Sequence, residues 1–134
     1  VHYACLVKNC PEDVETHQLA VGNEEKMISL SEDNFTQAKR VVGDGIIPMV
    51  TIDSLDLDDV DLIKIDVEGF EMEVLKGAGN TLKNVDYLMI ELNNNSKKYG
   101  SSNLEIEKHL RKTGFEIMIK VWPDVVWRKK GNSK

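Results

Sequence analysis

Four side chains in two short stretches carry the chemistry of this sequence. Asp66 and Glu68 fall within three residues in DLIKIDVEGF, and Glu91 and Asn93 close YLMIELN. Each group follows an apolar run, so each stands where a buried strand would end. Carboxylates crowded at one place raise at least one pKa, which suits a general base, and they can also hold a cation. Lys64 precedes Asp66 by the two-residue strand period, shares its face and would moderate its charge. A structural role competes with this reading. An acid at a strand–helix junction caps the helix for about 1 kcal/mol, and Gly69 can serve only a tight turn. Capping accounts for either acid alone, and less readily for both together with Glu91.

The elements that would position these residues follow from hydrophobic period. DLIKI and VDYLMIEL read as short parallel strands buried on both faces. Between them, GFEMEVLKGAGNTLK reads as a helix with Phe70, Val74, Leu75, Ala78 and Leu82 inward and Glu71 and Glu73 near its start, where the dipole favours acids. Ser102 and Glu105 form a capping box for a helix that Gly114 stops. FEIMIKVW and VVWRKK are strands around Pro123-Asp124, a hairpin. Upstream, VHYACLVKNC reads as the back of a helix with Tyr3, Leu6 and Val7 on one stripe. ETHQLAVG and KMISLS read as two strands around a turn. Residues 31–45 read as a loop with a short helix in NFTQAKRVV. In IIPMVTI, Pro48 indicates extended chain and argues against a central strand. DSLDLDDVD, with five acids, reads as a short exposed turn or helix. If the first two strands of the acidic region are neighbours, their acids meet outside the carboxyl ends of the sheet, where open α/β sheets bind ligands.

Composition narrows the partners. At 134 residues the chain is the size of one domain, 1–134, with residues 129–134 expected as a flexible tail. Its net charge of −6 argues against nucleic acid or an anionic membrane as partner. No apolar run approaches the ~20 residues of a membrane span. Cys5 and Cys10 fit neither a disulfide framework nor a zinc spacing, and the expectation is a cytoplasmic protein. His2, His17 and His109 are scattered, and no metal site is expected.

DLIKIDVEGFEMEVLKGA, followed by YLMIEL, resembles the signature of FkbM-type methyltransferases. LVKNC, LAVGN and VTIDSL resemble that family's flanking segments in the expected order. The resemblance implies S-adenosylmethionine as cofactor and O-methylation of a hydroxyl on a sugar, other glycan or small natural product. It implies Asp66 and Glu68 as catalytic acids, with Asp66 orienting or deprotonating the acceptor hydroxyl. Lys64, Glu91 and Asn93 would line the substrate rim, and Ala20, Val21 and Gly22 would approach the adenine edge of the cofactor.

The fold it implies is α/β, part of a class I methyltransferase (Rossmann-like) sheet with a parallel centre and an antiparallel C-terminal hairpin. The glycine-rich cofactor turn and the ribose-binding acid of that family are absent from the sequence, as if the first two strands of its 3-2-1-4-5-7-6 sheet were lacking. That expectation leaves the edge of DLIKI bare, an invitation to strand three, to a second copy or to a partner chain. It also keeps open a non-catalytic binding or assembly module, or a truncated fragment that does not bind the cofactor alone. An acid-rimmed, metal-using hydrolase ranks last.

Overall fold

The computed structural model describes residues 2–31 and 41–131. Helix α1 (His2–Asn9) comes first, followed by strands β1 (Ala20–Val21), β2 (Lys26–Ile28) and β3 (Ile47–Val50). Then come β4 (Leu62–Ile65), α2 (Glu71–Lys76), β5 (Tyr87–Glu91), α3 (Asn103–Lys112), β6 (Phe115–Val121) and β7 (Asp124–Lys129). The strands form two sheets, ordered β1-β3-β2 and β4-β5-β7-β6. In the larger sheet β4 and β5 are parallel, while β7 runs antiparallel to both β5 and β6. The fold is thus mixed α/β, with the expected C-terminal hairpin. The parallel pair lies at an edge rather than at the centre, because among the described residues no strand pairs with the outer side of β4.

One face of the larger sheet carries the core. Ile65 lies across from Ile90 and Leu88 across from Trp127, and all four are buried. Val74, Leu75, Ala78 and Leu82 close over this face with Ile106 and Leu110 of α3. Each such valine, leucine or isoleucine side chain contributes roughly 1.5–3 kcal/mol by leaving water. The opposite face stays open: Leu62 is 54% exposed and Ile119 is 49% exposed. Neither β4 nor β5 is therefore buried on both faces. β5 alternates between half-buried and buried residues, and β4 buries only Ile65. Apolar content misled here, because the described helices that build the core contribute to one face only.

The smaller sheet corrects two further expectations. β1 and β2 do not pair; β3 lies between them, parallel to β1 and antiparallel to β2. Pro48 thus occupies a central strand. The Gly22 N–H donates to the Val50 carbonyl at 2.8 Å, so the polar groups of Val50, and two residues earlier those of Pro48, face the β1 side. β1 begins only at Ala20, opposite Met49, so the N–H that proline lacks would fall before the start of that strand.

The expected long helix is cut short. α2 has six residues, and a separate 3-10 turn covers Thr81–Lys83. Gly77 and Gly79 weaken helix between them by about 1 kcal/mol each. Asp53 starts the second segment by accepting the N–H groups of Asn80 and Thr81 at 2.8 Å and the Thr81 hydroxyl at 2.8 Å. Burial works against the Asp53 anion, but these bonds and Lys83 hold its carboxyl below the usual range.

Elsewhere the period held. The Ser102 hydroxyl accepts the Glu105 N–H at 3.3 Å to open α3, and Gly114 follows α3 at φ +93°. α1 forms, although Leu6 and Val7 of its stripe are exposed. In DSLDLDDVD, read as a short turn or helix, Asp53–Leu55 forms a 3-10 helix. Most of the short helix read in NFTQAKRVV lies outside the described residues. Of the expected tail, Lys129 belongs to β7 and the Lys130 N–H donates to the Gly114 carbonyl at 2.9 Å. Residues 132–134 lie outside the described residues.

Candidate active site

Parallel pairing of β4 with β5 sets the site. Because Ile65 is in register with Ile90, Asp66 and Glu91 follow at matched places where the two strands end. Asp66 bonds to both Lys64 and Glu91. The Lys64 ammonium donates to Asp66 Oδ2 at 2.9 Å, and with Glu91 it keeps the Asp66 carboxyl below the usual range. Asp66 in turn raises the Lys64 pKa. The proton is left to Glu91, whose pKa is pushed up by Asp66 first, then by burial and by the charges of Asp66, Glu68 and Asp124. Two carboxyls in contact cannot both ionise freely, so this pair holds one proton over a range where lone acids hold none.

Glu68 is separate from that pair. Its Oε2 accepts the side-chain amides of Asn93 at 3.1 Å and Asn95 at 3.0 Å. The Glu68 backbone is left-handed, at φ +54°, and Gly69 follows at φ +113°. A side chain at Gly69 would meet the Asn95 carbonyl at 2.6 Å, so the turn after β4 lies directly against the loop after β5. That close approach explains the glycine and brings Glu68 to its two amides.

Neither Asp66 nor Glu68 caps α2. The N-cap position is Phe70, without a side-chain bond, and the Gly69 N–H goes to Glu71 at 2.8 Å. Glu71, read only as an acid near the helix start that the dipole favours, is 2% exposed. Burial raises its pKa, although the N–H groups of Gly69, Glu71 and Val67 favour its anion. Sequence reasoning missed Glu71 and Asn95. The available signal was an acid two residues after a turn glycine, and an asparagine run directly after a strand.

Ala20, Val21 and Gly22 stand in the other sheet. Gly22 is buried: a side chain there would meet the Met49 sulfur at 2.6 Å and the Phe70 ring at 3.0 Å. Its link to the acidic turn is thus Phe70, which packs edge-on against Tyr99 with ring centroids 4.9 Å apart. Among the described residues no group of three or more His, Cys, Asp or Glu side chains could hold a metal ion. No described helix is long and apolar enough to cross a membrane.

These features lie within a recognisable sequence family. The methyltransferase FkbM domain matches residues 3–117, most of the chain and all of the acidic rim. The chain belongs to the FkbM methyltransferase family. A curated relative, the hexuronic acid methyltransferase AglP of Haloferax volcanii, is 32% identical over 63 residues. That alignment covers 47% of this chain and 24% of the relative, so the chain spans well under two thirds of the relative it matches. No solved structure matches.

Proposed function

We propose that this FkbM-family chain provides the acceptor side of a methyltransferase that uses S-adenosylmethionine to methylate a hydroxyl on a sugar or small natural product. The observation that carries the reading is the Asp66–Glu91 contact at the ends of adjacent parallel strands, inside the family's span. The order β4-β5-β7-β6 supports it, since it matches the 4-5-7-6 half of a class I methyltransferase sheet.

On this reading the cofactor would supply the methyl group. The described residues do not form a cradle for it. The Gly22 N–H is spent on Val50, and the space beside Gly22 is filled by Met49 and Phe70. A cavity of about 460 Å³ lies at Leu57–Asp61 and Thr81–Asp86, and one of about 220 Å³ lies between Met72, Lys76 and Tyr99; neither is lined by Asp66, Glu68 or Glu91. The steps assigned here concern the chain's own acids. Asp66, kept anionic by Lys64, accepts a hydrogen bond from the acceptor hydroxyl and takes its proton. Glu91, its pKa raised by Asp66, gives up its own proton less readily and so opposes a second charge beside that base. Glu68, held by two amides, orients the acceptor.

We further propose that the bare β4 edge, with the open sheet face beside it, takes a second copy of this chain or a partner chain. The non-catalytic assembly reading stands on the absent cradle.

Calorimetric titration with S-adenosylhomocysteine separates the two, because it needs no acceptor. Micromolar binding, about −8 kcal/mol, is the result the transferase reading requires. No heat at millimolar ligand would remove transfer from this chain alone and leave the assembly module.

A further inference from the structure

We infer that Glu71 is a positioning residue: its buried carboxylate closes the turn after β4 and so delivers the Glu68 carboxylate to the amides of Asn93 and Asn95. Glu71 is 2% exposed and accepts the Gly69 N–H at 2.8 Å. Among the described residues no cation pairs with it. A buried acid without a cation is costly unless backbone donors compensate, and a six-residue helix has no need of one. What the bond does is local. It fixes Gly69 in the left-handed region at φ +113°, one residue after Glu68 at φ +54°. A non-glycine residue holds that conformation only when its surroundings impose it.

The opposing loop is fixed as well. Asn93 Oδ1 accepts the Asn95 N–H at 3.0 Å, and Asn94 turns the chain at φ +66°. The two rigid turns meet where Gly69 abuts the Asn95 carbonyl. Both amides then donate to one oxygen of Glu68, Oε2. Oε1 receives no bond among the described residues and remains able to accept from a ligand hydroxyl or ammonium. That last role rests on the acceptor-site reading above; the positioning does not.

The test needs no turnover. Side-chain amide resonances of Asn93 and Asn95 would be recorded for the chain and for Glu71→Gln, Glu71→Asp and Glu68→Gln. Glu68→Gln identifies the signals that report the contact. Glu71→Gln and Glu71→Asp are expected to move those same signals most of the way to their Glu68→Gln positions, with the Trp127 indole signal unchanged. Asparagine signals that stay at wild-type positions in both Glu71 variants would overturn the inference. So would loss of the folded spectrum in both, since Glu71 would then hold the fold rather than the turn. Calorimetry with S-adenosylhomocysteine on the same samples reads the functional proposal separately.

Discussion

Asp66 and Glu91 meet one step beyond the Ile65–Ile90 register pair, with the Lys64 ammonium 2.9 Å from Asp66 Oδ2. The arrangement divides two similar acids into unlike roles, an anion beside a cation and a carboxyl whose pKa its neighbours raise. Replacing Asp66 by Asn keeps the shape and removes the carboxylate proposed as the base. The Lys64 pair is well exposed and solvent screens it, so the fold should survive its loss. Turnover should fall about 100-fold or more, the usual share of a general base. Urea unfolding alongside a methyl-transfer assay checks both. A stability loss of several kcal/mol would mark Asp66 as structural instead.

Glu71 predicts a pH dependence of opposite sign to the usual salt-bridged acid. Its folded pKa is raised by burial, so between the ordinary glutamate value and that raised value the folded chain binds more protons than the unfolded one. The stability it contributes is complete below about pH 4.3 and is lost as pH rises toward the folded value. Asp66, held low, acts in the reverse sense and at lower pH. Urea unfolding as a function of pH should therefore fall less steeply above about pH 4.3 in Glu71→Gln than in the wild type. Equal slopes would mean that Glu71 ionises alike in both states.

The acid positions and the elements behind them were legible because strand ends, caps and turns leave local marks. Asp66, Glu68, Glu91 and Asn93 do gather, and the Ser102–Glu105 box and the Pro123 hairpin stand where period places them. What period could not show was which of several acids the helix start would take. Glu71 won that place over Glu68 by reaching back to Gly69, a matter of backbone conformation at φ +113°. Nor could it show that β3 enters between β1 and β2. That depends on which side of the chain Pro48 turns its missing donor, and alternation is blind to it. The long apolar runs of β4 and β5 fixed strand type but not burial, which is set by where the helices lie.

Gly77 ties the two sheets together and should tolerate no side chain. It has an ordinary φ of −79°, so alanine carries no backbone penalty there, but its Cβ would sit 2.0 Å from the Gly22 carbonyl oxygen. The Gly77 carbonyl also accepts the Asp53 N–H at 3.0 Å, so the helix end cannot retreat without losing that bond. Gly77→Ala is expected to lower unfolding free energy by about 1–3 kcal/mol, the cost of overpacking. Gly79→Ala is the control, because a Cβ there meets only an Asp53 carboxylate oxygen at 3.9 Å and alanine favours helix. Chemical unfolding of the two variants should give opposite signs. Equal stability would mean that the first sheet yields at Gly22.

The outer side of β4 pairs with no strand among the described residues, and Leu62 of that strand is 54% exposed on the open sheet face. An unpaired strand edge next to an apolar surface is a template for association. The chain is therefore expected to sediment as a dimer or larger species. Leu62→Lys places a charge on the face at that edge without touching the core and should shift the population toward monomer. Sedimentation velocity over a concentration series reads the result. A wild-type chain that remains monomeric, with the outward-facing amides of Leu62 and Lys64 exchanging freely, would rule out self-association and leave a different polypeptide as the occupant of this edge.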